Sequence, residues 1–573
     1  MSDPVIALLP LFRESLSLAF GDEFAGTDPM LRVSKHADFQ ANCALSLAKI
    51  LKRAPREVAS ALLDRLSRAD IIERAEISGP GFINVWLSRE FLAKALSDAS
   101  ADLGLTPTET PETVVVDYSS PNVAKELHVG NLRSTIIGDA LCRVLEAVGH
   151  KVLRQNHLGD WGTPFGMLIE NLLEGDVEAG EQSIKDLNAF YQAARKKFDS
   201  DSAFAERARN RVVMLQRGDV ETLDLWKKLV LASTRYFNTI YDLLGVTLRD
   251  EHLAGESLYN PWLPQVVEEL TARNLAVESD GAICVFPPGF LGREQQPLPL
   301  IIRKQDGGYG YATTDLAAVR YRTQSLHATR ILYVVGASQE QHLSMVFVAA
   351  KVAGWLLEPA RAEHVSFGAI LGSDKKMFRT RAGETIRLLD LLNEAVSRAQ
   401  AIVAEKNPNL PPEVQHSIAR AVGIGALKYA DLSNDRGKDY VFDWDRMLAF
   451  DGNTGPYLQY AHARIRSIFR KGAAEVPSAD SIRIVAPEEK ALALTLLAYP
   501  TVVRDVADSL APHKICGYLY ELATAFSTFY ECCPVLKAAS QPERDSRLAL
   551  CDFTARVLAK GLMLLGIESP EKM

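Results

Sequence analysis

The run VVVDYSSPN at residues 114–122 does more than any other segment to limit the folds open to this chain. Its β-branched residues favour a strand, and its last residues are turn formers. Beyond it, Leu132, Ile136, Ile137, Ala140, Leu141, Val144, Leu145 and Val148 recur at helical spacing, and Gly149 stops the helix. The following KVLRQNHLGDWG reads as a second strand with its exit loop. Strand, tight loop, long helix and strand make a βαβ unit, the building block of a Rossmann-like parallel sheet that binds nucleotides.

At 573 residues the chain is too long for one hydrophobic core, so an α/β multidomain architecture is expected. Residues 1–108 read as a small α+β domain, with helical spacing in ALSLAKIL and VASALLDRL and alternation in FINVWL. The Pro- and Thr-rich stretch at 103–113 reads as an exposed linker. Residues 109–385 form the expected catalytic domain, resuming strands at RILYVV and HVSFGAIL, with a helical, charge-rich insertion at about 171–295. From 386 to 573 the strands stop. Runs such as IARAVGIGALKYADL and KICGYLYELATAFSTFYECC predict an all-α bundle.

With 47% hydrophobic and 24% charged residues, the composition excludes disordered and collagen-like chains. No apolar run nears the ~20 residues needed to span a bilayer. A net charge of -8 argues against a uniform coat of nucleic acid but leaves room for a local basic surface. Seven cysteines show neither C-x-x-C nor zinc spacing, so they are expected to be reduced and mostly buried, with no metal site. The first twenty residues carry acids and lack a basic n-region, which reads as neither a secretory nor a transit peptide and predicts a cytoplasmic protein.

The chemistry centres on PNVAKELHVGNLRS (121–134). His128, Gly130 and Asn131 stand at the start of the long helix, with Lys125 just upstream. A helix N-terminus favours phosphate through its free N–H groups, and Gly130 lacks the Cβ that would block close approach. His128 and Lys125 can donate to oxygens that gain charge during phosphoryl displacement. A plain helix start can carry such a string too. The second feature is LGSDKKMFRTRAGE (371–384), where Lys375, Lys376, Arg379 and Arg381 crowd a Gly-flanked loop after a strand. Alone it reads as a solvated basic turn; with the first it forms two cationic loops able to face one triphosphate.

These two loops resemble the HIGH and KMSK signatures of class I aminoacyl-tRNA synthetases. With NHLGDWGTPFG, YATTDLAAVRYR, GETIRLLDLL, FDGNTGPYLQYAHARIR and LLGIESPEKM, the chain resembles arginyl-tRNA synthetase from residue 38 to its last residue. It departs from the signatures twice: Asn131 replaces the second histidine, and the loop reads MFRT. In that family the loop is commonly degenerate, and a lysine in the position of Lys125 is thought to compensate.

The resemblance implies catalytic roles for Lys125, His128, Gly130 and Asn131, with Lys376, Met377, Phe378, Arg379 and Thr380 on ATP. It places arginine contacts at Asp117, Asn122, Tyr311, Asp315 and Gln339; capping or turn roles are the plainer readings of the two aspartates. It places tRNA contacts at Phe82 and Asn84 and at Tyr457, Tyr460, Arg464 and Met573. The spacing of Tyr457, Tyr460 and Arg464 puts them on one helix face, suited either to core packing or to stacking on splayed bases.

The implied reaction is activation of L-arginine by ATP, with Mg2+ on the nucleotide, to arginyl-adenylate, then transfer to the terminal ribose of tRNA(Arg) by a monomer. In the family, activation often requires bound tRNA. Two other readings stay open: an adenylate-forming relative that uses no tRNA, and a non-catalytic tRNA-binding relative.

Overall fold

The computed structural model describes residues 3–68, 70–123, 125–175, 187–292, 294–378, 385–472 and 475–573. The N-terminal unit is an antiparallel sheet in the order β1-β2-β4-β3, formed by β1 Leu31–Val33, β2 Phe39–Ala41, β3 Ile72–Ser78 and β4 Phe82–Leu87. Helices α1 Pro4–Phe20, α2 Cys43–Leu51, α3 Pro55–Arg65 and α4 Arg89–Asp98 accompany it.

The central sheet joins β5 Thr113–Asp117, β6 Lys151–Gln155, β10 Arg330–Tyr333 and β11 Arg361–His364, all parallel, in the order β11-β10-β5-β6. Helix α5 (Val129–Ala147) crosses from β5 to β6. The VVV run follows from burial on both faces: Val114 and Val116 join one core, while Val115 joins another with Ile331 and Tyr333. The chain leaves β5 for β6 on one side and meets β10 on the other. This strand order opens a crevice beyond the carboxyl ends of β5 and β10, where doubly wound sheets bind ligands.

The expected α5 helix starts three residues earlier than its apolar spacing suggested, because a cap at His128 rather than a core residue sets its first turn. The insertion is mostly helical, with α6 Thr163–Glu174, α7 Leu187–Ser200, α8 Ser202–Gln216 and α9 Val220–Leu244. It differs from expectation at its end, where β7 Ala276–Ser279, β8 Ala282–Val285 and β9 Leu300–Arg303 form an antiparallel sheet. Short strands around a turn carry too little periodicity to distinguish from loop. The 364–371 run also splits: β11 ends at His364, and β12 (Ile370–Leu371) pairs with β13 (Tyr440–Val441), a strand inside the region expected to be wholly helical.

Helices α10 Tyr311–Gln324 and α11 Glu340–Val352 flank β10. The C-terminal bundle comprises α12 Leu388–Lys406, α13 Pro412–Leu432, α14 Gly455–Gly472, α15 Pro487–Leu497, α16 Tyr499–Ser509, α17 His513–Cys532 and α18 Gln541–Leu564. The N-terminal unit is fastened to it. Lys490 pairs with Asp38 at 2.9 Å, Arg504 donates to Thr106 Oγ1 at 2.9 Å, Arg556 to the Ser100 carbonyl and Arg89 to that of Val485. The cysteines are all free thiols, buried except for Cys532. Among the described residues, no helix is long and apolar enough to cross a membrane.

Candidate active site

His128 caps α5. Its Nδ1 accepts the Gly130 N–H at 3.0 Å, and the Asn131 side-chain oxygen accepts the His128 N–H at 3.0 Å. An accepting Nδ1 keeps its lone pair, so the ring is the neutral tautomer with its proton on Nε2, free to donate. Burial of the ring, helped by the Lys125 ammonium, holds its pKa below the usual histidine range, which agrees with that tautomer. Asn131 suits the cap as an amide acceptor. A Cβ on Gly130 would come within 2.8 Å of the His128 ring, so this glycine makes room for the imidazole itself.

The segment that follows the basic loop reaches the same place. Leu388 N–H donates to the Leu127 carbonyl at 2.8 Å and Val129 N–H to the Ile386 carbonyl at 3.0 Å, while Arg387 pairs with Glu126 at 3.0 Å. The chain after the loop is thus zipped to the residues leading into α5, although some 250 positions separate them along the sequence. Lys376, Met377 and Phe378 lie on a tight return: Leu371 bridges Met377, Lys376 N–H donates to Asp374, and Phe378 stacks on Phe442 at 4.4 Å. Arg379 and Thr380 lie outside the described residues, as does Arg381.

In the crevice, Asp117 and Tyr333 stand opposite each other at the ends of β5 and β10. Asp117 is 5% exposed; it accepts from Arg322 at 2.7 Å and from the Ser120 hydroxyl at 2.8 Å. Arg322, also fully buried, donates its Nε to Gln155 at 2.6 Å. Burial alone would raise the Asp117 pKa; Arg322, with His157 and Ser120, outweighs it and holds the carboxyl below its ordinary value. Ser119 and Ser120 follow at φ 69° and 46°, a left-handed pair that turns the chain sharply off the sheet. Asn122 is exposed on the lip and bridges Gly159.

Asp315, one turn into α10, lies 2.6 Å from His342 Nε2, and the 68%-exposed Tyr311 ring packs on that imidazole at 4.6 Å. Gln339 is exposed at the start of α11. Burial first, then nearby negative charges, Asp315 and Asp117 among them, push up the pKa of Tyr333; among the described residues no group is hydrogen-bonded to both carboxylates.

Glu256 escaped the sequence reading. Burial, followed by repulsion from Asp160 and Asp315, pushes its pKa up to about 7. Asp160, also raised by burial, accepts from the Ser257 N–H and hydroxyl at 2.8 and 2.6 Å. A Cβ on Gly255 would fall 2.2 Å from an Asp160 oxygen, which admits only glycine there. Among the described residues no Lys or Arg pairs with Asp160, Glu256 or Asp315. The only local signal was a Gly-Glu-Ser turn, which carries no periodicity.

The other residues lie far off. Phe82 and Asn84 share one face of β4, and Asn84, nearly buried, accepts from Gln40 at 2.8 Å. On α14, Tyr457 packs against Tyr520 at 5.8 Å, Arg464 covers Tyr530 at 5.0 Å, and Tyr460 is exposed, which makes an aromatic and cationic strip with α17. Met573 packs on the core at the end of a tail held to α14 by Gln459 and His462.

Comparison with known proteins gives the family. Residues 94–444 match the family "tRNA synthetases class I (R), catalytic domain", 458–573 the "DALR anticodon binding domain", and 8–87 the "Arginyl tRNA synthetase N terminal domain". The arginine–tRNA ligase of Thermobifida fusca is 56% identical over 577 residues, covering all of both chains; that of Escherichia coli is 49% identical over 96% of each. Among solved structures, arginyl-tRNA synthetase from Plasmodium falciparum superposes with a TM-score of 0.84 at 30% identity over 99% of each chain. The Thermus thermophilus enzyme gives 0.80 at 27% identity, over 98% of this chain and 99% of its own. With family matches at both ends and the class I catalytic domain between them, the chain belongs to the arginine–tRNA ligases.

Proposed function

We propose that the chain activates L-arginine with ATP and transfers it to tRNA(Arg), and that the crevice at the ends of β5 and β10 does the chemistry. The arginine carboxylate attacks the α-phosphate in line, and pyrophosphate leaves. A terminal ribose hydroxyl of tRNA then attacks the acyl carbonyl and AMP leaves. Neither step needs a covalent enzyme intermediate, so catalysis is positioning and charge stabilisation. His128 donates its Nε2–H, and Lys125 its ammonium, to oxygens gaining charge. The α5 N-terminus with Gly130 and Asn131 receives the phosphates, with Lys376, Met377 and Phe378 as the described part of the second loop that meets them. Mg2+ is read as entering with the nucleotide, on its triphosphate oxygens.

The guanidinium is read as held by Asp315 and Glu256 under the Tyr311 ring, with Asn122 and Gln339 on the rest of the amino acid and Asp117 completing the wall. The observation that carries this reading is the repulsion of Glu256 by Asp160 and Asp315, a group that no Lys or Arg among the described residues balances and in which Asp315 meets only His342. A cationic substrate supplies that balance; citrulline would lack the charge and lysine the fork. Phe82 and Asn84, and the strip of Tyr457, Tyr460 and Arg464 with Met573, are read as tRNA surfaces. The resemblance further supports a cytoplasmic monomer, which sedimentation of the purified chain tests.

Aminoacylation of bulk tRNA with each of the twenty amino acids is the decisive experiment, with arginine alone expected to be charged. His128→Ala should slow pyrophosphate exchange, measured with tRNA present, by about two orders of magnitude, as for loss of one oxyanion-type donor. Exchange at the unmutated rate would remove His128 from the mechanism.

A further inference from the structure

We infer that Tyr191, carried by the insertion helix α7, is a positioning residue for Lys125, its ring holding the ammonium near the start of α5. Lys125 Nζ lies 4.6 Å from the Tyr191 ring centroid, within cation–π range. The Tyr191 ring covers one side of a side chain that is otherwise exposed. The ring is itself fixed. Tyr191 is half-buried against the main core, and its neighbours Phe190 and Ala194 are buried, which anchors α7. Lys125 is also near enough to His128 to depress its protonation, so the ammonium is held in the neighbourhood of the donor it is read as assisting.

A long lysine side chain gives up considerable rotamer freedom when it must meet a phosphate. A ring that occupies one side of the ammonium, accepting no proton and leaving N–H donors free, restricts the chain before ATP arrives. The insertion thereby contributes a group to a site built otherwise from the sheet. This inference rests on the catalytic role proposed for Lys125.

A double-mutant cycle on the full-length enzyme tests it, reading kcat and KM for ATP–pyrophosphate exchange with tRNA present. Tyr191→Leu keeps the apolar contact and removes the ring face. It should lower kcat by about three- to tenfold, with KM for arginine unchanged. Tyr191→Phe should recover the rate to within about twofold, because the ring, not the hydroxyl, holds the cation. In a Lys125→Ala background, Tyr191→Leu should have no further effect. Equal losses in both backgrounds, a Phe variant as slow as Leu, or a faster Leu variant would overturn the inference while sparing the role of Lys125. Unchanged exchange in Lys125→Ala alone would overturn both. Tyr191→Gln, read by the same cycle, serves if the Leu variant does not fold.

Discussion

Two carboxylate sites lie near Tyr333, and they solve the same problem in opposite ways. At the end of β5, Asp117 is buried with its own cation, Arg322, and its acidity is strengthened. In the second site Asp315 has a histidine as its partner, and Glu256 and Asp160 are both weakened as acids by burial, Glu256 also by repulsion from Asp160 and Asp315. The first arrangement carries its own counter-charge; the second has no Lys or Arg partner among the described residues. One builds the wall, and the other, on our reading, is where binding energy is gained.

The contrast breaks most easily at its stable half. Arg322→Met should strand a buried carboxylate and cost about 3–5 kcal/mol, the usual penalty for halving a buried pair. Loss of the thermal midpoint would register it, and an unchanged midpoint would mean that Asp117 is not held as described. Next, Asp315→Asn should raise KM for arginine by roughly 30- to 150-fold, about 2–3 kcal/mol for a charged hydrogen bond, with KM for ATP little altered.

Protonation sharpens the comparison further. An arginine side chain favours ionised Glu256, so binding expels its proton. With a pKa of about 7, KM for arginine should fall about tenfold between pH 6 and pH 8. Glu256→Gln should flatten that profile. The smallest effect has the opposite sign. Because the folded state raises this pKa, Glu256 contributes stability below its unfolded value near 4.5, and loses it as pH rises through about 7. Glu256→Gln should therefore stabilise the ligand-free protein at pH 8 by about 1 kcal/mol, discounted for solvent at its open edge, seen as a higher thermal midpoint.

Where structure follows from neighbouring residues, the sequence could be read. The VVV strand, the periodic α5 and the cap region at His128 were visible because strand propensity, helical spacing and turn chemistry act over a few positions. Asp315 and Tyr311, four positions apart on one helix, meet the same imidazole. The pairing of Asp117 with Arg322 was hidden because it joins a strand end to a helix 205 residues away. Glu256 was hidden because its acidity depends on Asp160 and Asp315, which the fold alone brings near. The β7–β9 sheet was lost for a different reason: four-residue strands give periodicity too little length to register.

The clasp between the N-terminal unit and the C-terminal bundle sets an order of events during synthesis. Asp38, Ser100 and Thr106 leave the ribosome early, but Lys490, Arg504 and Arg556, which seize them, are made only near the end. Until those last helices are made, the contacts of Asp38, Ser100 and Thr106 across this seam cannot form, and that side of the first hundred residues stays uncovered.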